Sequence, residues 1–131
     1  MSIYLDACIV IYVVECATRI YSASIETLMR NAGAVDFCYT PLVRLECLVM
    51  PFRTNDTALL KLYEAFLGAQ RLLDLPSVVF DEAARLRAAH QSLKTPDAIH
   101  LAAARHHGCA ELWTNDERFN SIAQGMAIKV I

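Results

Sequence analysis

Short, uninterrupted apolar runs that alternate with longer stretches of helical spacing leave this chain few architectures to adopt. Ser2 to Leu5, Val35 to Tyr39, Glu111 to Thr114 and Ala127 to Ile131 read as strands, with Leu72 to Leu75 as a shorter one. Strands that are apolar continuously, and not at every second residue, belong to sheets covered on both faces. With helices between them the expected fold is α/β, a three-layer α/β/α sandwich around a central, mostly parallel sheet. No linker, low-complexity tract or internal repeat divides residues 1–131, so one domain is expected.

The helices have legible punctuation. One should begin at about Ala7, and another should run from near Ser22 to Asn31 and close at Gly33. Thr40-Pro41 starts a helix through Val49 that Pro51 should stop. Asn55 or Asp56 can cap a helix to Phe66, with Gly68 as its end. Asp81 to Leu93 has helical spacing. Thr95-Pro96-Asp97 offers a capping hydroxyl, a proline at the first helical position and an acid in the first turn of a helix to His107. A short helix should span Asp116 to Ala123.

Composition removes several classes. At 56% hydrophobic residues the chain is not disordered. The apolar run Ala7 to Val14 is far shorter than the ~20 residues that cross a bilayer. The opening Met-Ser-Ile-Tyr-Leu-Asp lacks a basic segment, so a signal peptide is not expected and the cytoplasm is the expected location. Cys8, Cys16, Cys38, Cys47 and Cys109 are scattered through apolar stretches without a Cys-x-x-Cys pair, as expected of buried reduced thiols and not of a zinc site. A net charge of −2 argues against a nucleic-acid partner. Yet residues 84–107 hold Arg85, Arg87, Lys94, Arg105 and all four histidines against the single acid Asp97. That stretch is equally the solvated faces of two helices.

Four acids carry the chemistry. Asp6 closes an apolar strand, where capping of the next helix is a competing role. Glu46 sits in a helix that is apolar almost all round and so expected to be mostly buried. A buried carboxylate needs a cation, a partner or a route to water. Asp97 is accounted for by the helix dipole alone, and Thr114-Asn115-Asp116 by a polar turn. Together, though, two carboxylates at strand ends, one on a helix and one at a helix start can meet beyond the carboxyl edge of a parallel sheet, where ligands gather. All-oxygen donors suit Mg²⁺ or Mn²⁺, which assist phosphodiester cleavage by activating water and stabilising the leaving oxygen. No Ser-His-Asp set, Cys-His pair or glycine-rich phosphate loop competes.

The segments Ile3-Tyr4-Leu5-Asp6, Leu45-Glu46, Leu93-Lys94-Thr95-Pro96-Asp97-Ala98-Ile99-His100-Leu101-Ala102-Ala103-Ala104 and Leu112-Trp113-Thr114-Asn115-Asp116-Glu117-Arg118-Phe119 resemble the successive motifs of PIN domains, VapC-type ribonuclease toxins in particular. The resemblance covers nearly the whole chain. It implies an α/β/α fold, often dimeric, and Mg²⁺- or Mn²⁺-dependent cleavage of RNA. Asp6, Glu46, Asp97 and Asp116 would bind metal, Thr114 would help order the site, and Asn115 would shape its loop. It also implies a cognate antitoxin, which inhibits by covering the site.

Two departures from the family pattern stand out. Ala7 and Cys8 follow the first acid, and Pro41 precedes the Glu46 helix, at positions where members often carry hydroxyl or amide side chains. Both remove groups that could orient carboxylates or water. An inactive PIN-like module that binds RNA or a partner is therefore the alternative to an enzyme. A phosphoacceptor signalling domain fits less well, because Asp36 begins its strand and Lys129 lies inside one.

Overall fold

The computed structural model describes the backbone of residues 1–15, 19–122 and 126–131, and their side chains except those of residues 19–24 and 130. Five strands form one all-parallel sheet: β1 (Ser2–Leu5), β2 (Asp36–Tyr39), β3 (Arg71–Leu72), β4 (Glu111–Thr114) and β5 (Ala127–Val130), in the order β3-β2-β1-β4-β5. The central β1 pairs Tyr4 with Cys38 on one side and Leu112 on the other. Ile3, Tyr4, Leu5, Leu112 and Trp113 are buried, as the continuous apolar runs require.

Six α-helices connect the strands: α1 (Ala7–Glu15), α2 (Arg19–Asn31), α3 (Pro41–Arg53), α4 (Thr57–Gly68), α5 (Ser77–Ala89) and α6 (Thr95–His106). Right-handed crossovers put α1 to α4 on one face and α5 and α6 on the other. The contacts agree, α1 packing on α2, α3 and α4, and α5 on α6. The strand order switches sides between β1 and β4, and the carboxyl edge of those two strands is where open α/β sheets place their ligand crevice. Among the described residues no helix is long and apolar enough to cross a membrane.

Several boundaries differ from the sequence expectation for physical reasons. Pro51 does not stop α3; it lies buried inside the helix, which runs on to Arg53. A proline keeps helical φ and costs the helix one internal hydrogen bond, a loss smaller near an end. Nor is α3 mostly buried, because Leu45, Met50 and Phe52 are each more than half exposed. Helix α5 begins at Ser77, four residues before the expected start, where Val79, Ala83 and Leu86 form its packed stripe. It ends as His90 turns extended, leaving Leu93 in the following loop. Strand β3 is only Arg71–Leu72 and does not reach Leu75, since it pairs with just the last two residues of β2.

At the start of α6 the Thr95 hydroxyl does not cap. It accepts from Arg87 at 2.8 Å, while Asp97 accepts the Lys94 N–H at 3.3 Å. Asp56 caps α4 as expected, accepting from the Leu59 N–H at 3.0 Å. The turn after β4 is a 3₁₀ helix, Glu117–Ile122, and Ala123 lies outside the described residues.

Leu101 is fully buried at the centre of α6. Leu101→Ala should lower the unfolding free energy by about 2–5 kcal/mol, read from the urea midpoint, whereas exposed Leu45→Ala should stay within roughly 0.5 kcal/mol.

Candidate active site

The carboxyl edge of β1 and β4 holds Asp6 and Thr114. Asp6 donates its N–H to the Trp113 carbonyl at 3.0 Å, which ties the first residue beyond β1 to the end of β4. Its carboxylate accepts the Ala7 N–H at 2.7 Å on Oδ1 and the Thr114 hydroxyl at 2.8 Å on Oδ2. One carboxylate oxygen thus serves the first N–H of α1 and not the N2 or N3 N–H that a capping side chain takes. Buried Thr114 also accepts the Asp116 N–H at 3.1 Å, so one hydroxyl connects two of the acids.

Asp97 and Asp116 face each other across Arg118. The Arg118 guanidinium donates from Nε to both Asp116 oxygens at 3.0 Å, and from Nη2 to Asp116 and, at 3.4 Å, to Asp97. It holds the Asp116 carboxyl below the usual carboxylate range. Asp97 moves the other way: burial is the largest cause, and the charges of Asp116 and Asp6 add to it. Arg118 stands in the Thr114–Phe119 motif, but sequence reasoning gave it no role. An arginine two residues beyond an acid had no visible geometry there, because a 3₁₀ turn and not strand or α-helix fixes the direction of its side chain.

Glu46 finds its partner in a histidine and not in an arginine. Arg44 points away to Glu64 at 3.3 Å. His100 Nε2 donates to Glu46 Oε1 and lies 3.7 Å from Asp6 Oδ1. The other ring nitrogen meets the Tyr4 hydroxyl at 2.6 Å, and Tyr4 in turn meets the Thr40 hydroxyl at 2.9 Å. Sequence reasoning counted His100 with a basic stretch; it is 1% exposed and belongs to the site. Its position three residues after Asp97, on the same face of one helix, was the available signal.

Four other basic residues of that stretch are engaged elsewhere. Arg85 and Arg105 pair with Glu82, Arg87 supports the α5–α6 loop, and His107 binds the Asp74 carbonyl. Cys8 is buried enough to push its thiol up to about 12, with the Asp6 charge adding to burial, so it remains a neutral neighbour of Thr114. Cys38, Cys47 and Cys109 are buried free thiols, and Cys16 lies outside the described residues. Asn115 donates to the Tyr12 hydroxyl at 2.6 Å, anchoring its loop to α1.

The structure thus gathers all four acids around one crevice, as two pairs: Asp6 and Glu46 beside His100, Asp97 and Asp116 about Arg118. As placed, no three His, Cys, Asp or Glu side chains among the described residues are grouped closely enough to share one ion. The donor chemistry nonetheless fits a hard divalent cation. The acids supply oxygen only, and the Asp97–Asp116 pair already closes on a positive group.

By sequence, residues 3–125 match the PIN domain family. No curated protein sequence matches the chain. Among solved structures, the fold is similar to VapBC2 of Rickettsia felis bound to a promoter DNA fragment (TM-score 0.79, 17% identity, covering 99% of this chain and 98% of that one). It is also similar to the Mycobacterium tuberculosis toxin VapC20, which cleaves the sarcin-ricin loop (TM-score 0.75, 14% identity, covering 92% and 94%). A third likeness is to a toxin–antitoxin complex from Klebsiella pneumoniae (TM-score 0.70, 22% identity, covering 91% of each chain). At these identities the structures attest to a shared fold, and the sequence match attests to ancestry: this chain belongs to the PIN domain family.

Proposed function

We propose that this protein is a divalent-metal-dependent endoribonuclease and the toxin of a toxin–antitoxin pair. The observation that carries the reading is the gathering of Asp6, Glu46, Asp97 and Asp116 at the reversal point of a PIN-family sheet. These four carboxylates would hold Mg²⁺ or Mn²⁺, which when bound would supply Lewis acidity toward a phosphodiester. The chain's own residues arrange the acids. Thr114 fixes one oxygen of Asp6 and the backbone of Asp116; the Lys94 N–H orients Asp97; His100 orients Glu46. Arg118, with nearly half its side chain exposed, can leave the acids for solvent or a substrate phosphate when a cation enters.

Partners follow the same reading. RNA is the substrate, and an antitoxin covers the site. Similar folds occur in toxin–antitoxin assemblies, and α3 presents Leu45, Met50 and Phe52 as apolar surface of the kind protein partners cover. A homodimer and a cytoplasmic location belong to the proposal as well.

Asp6→Asn and Asp97→Asn should each abolish metal-dependent RNA cleavage while circular dichroism shows the fold unchanged; wild-type cleavage by either variant rejects the assigned site. Calorimetric titration of the purified protein should show saturable Mn²⁺ binding at or below millimolar concentration, and its absence would favour a non-catalytic module. Arg118→Ala should bind Mn²⁺ several-fold more tightly, because the ion no longer displaces a guanidinium from Asp97 and Asp116.

A further inference from the structure

Thr40, Tyr4 and His100 form a buried line of three polar side chains from three separate places: the N-cap of α3 just beyond β2, the middle of β1 and the second turn of α6. Thr40 and Tyr4 are completely buried and His100 nearly so. At one end of the line His100 donates from Nε2 to the Glu46 carboxylate, which can only accept. Its other ring nitrogen, Nδ1, meets the Tyr4 hydroxyl, and the Tyr4 oxygen meets the hydroxyl of Thr40. Every member has a hydrogen-bond partner, and the line ends at Glu46.

Packing alone does not explain this line. Three apolar side chains of similar volume would fill the same space without the desolvation of three polar groups. What the polar version adds is direction at one place, where the line emerges on a partly exposed carboxylate at the crevice, with Asp6 close by. Glu46 hangs from a helix whose neighbouring residues Leu45 and Met50 face solvent, so α3 by itself does not confine its side chain. His100 does.

We propose that His100 is the positioning residue of the site: it holds the Glu46 carboxylate facing the crevice for the divalent cation, and Tyr4 and Thr40 hold its ring. The inference rests on the metal-dependent reading above. Partners that orient metal-binding groups are worth about 10- to 100-fold in metal affinity.

The test is Mn²⁺ calorimetry on wild type, His100→Leu, His100→Gln and Tyr4→Phe, each checked for folding by thermal melting in chelator. His100→Leu should weaken Mn²⁺ binding about 10- to 100-fold. His100→Gln, whose amide can still donate to Glu46, should recover most of that loss. Tyr4→Phe removes one oxygen and no carbon, and should weaken binding by a smaller factor through a loosened ring. A folded His100→Leu with wild-type affinity overturns the proposal, as does a His100→Gln that falls as far as His100→Leu. Should His100→Leu not fold, unchanged Mn²⁺ binding by Tyr4→Phe overturns it. Absence of Mn²⁺ binding by the wild type is a different result, since it removes the metal reading and this inference with it.

Discussion

Four carboxylates at one end of a buried sheet repel one another, and most of the polar structure around the crevice is organised against that repulsion. Asp97 shows it directly: burial and the charges of Asp116 and Asp6 all disfavour its ionised form. Arg118 opposes this for one pair of acids, and His100 lies between the other. Backbone N–H groups of Ala7 and Lys94 and the hydroxyl of Thr114 supply the rest. Such an arrangement is expensive in hydrogen-bonding groups and stable only while each acid keeps its partner.

Helix α6 is what makes the arrangement possible. It presents Asp97 in its first turn and His100 one turn later, and from Ala98 to Ala104 it is buried without a break. Four of those seven positions are alanine, and small side chains let helix and sheet approach closely. A helix set further out would carry His100 beyond reach of Tyr4 on β1. The Ala-rich composition of α6 and the hydrogen bond between Tyr4 and His100 are thus one feature, seen in the sequence as spacing and in the fold as distance.

This division also separates what was legible in the sequence from what was not. Largely apolar runs located β1, β2 and β4, because strands covered on both faces show little polar alternation to confuse with helix. The acids at strand ends followed from the same runs, since the first charged residue after a buried strand must lie at its edge. Long-range partners were not legible. The Tyr4–His100 bond spans 96 positions, and nothing local in either segment signals it. The start of α5 was missed for a related reason: Val79, Ala83 and Leu86 choose the helix's position by what they pack against, which helical spacing over Asp81 to Leu93 does not reveal.

The departures from the PIN pattern are also clearer in three dimensions. Ala7 contributes its backbone N–H to Asp6, which any residue but proline could do. Pro41 cannot supply a hydroxyl, but Thr40 before it does, directed into the core and not toward solvent. Among the described residues no buried side-chain nitrogen or oxygen lacks a partner, so the hydroxyl chemistry around the acids is rearranged without leaving a polar group unmet. The consequence is that core and site share atoms. The Tyr4 ring packs in the centre of the sheet while its hydroxyl anchors the line to Glu46. Any change that loosens the sheet at Tyr4 reaches the carboxylates directly, and an apolar residue at His100 takes one hydrogen-bond partner from the buried Tyr4 hydroxyl.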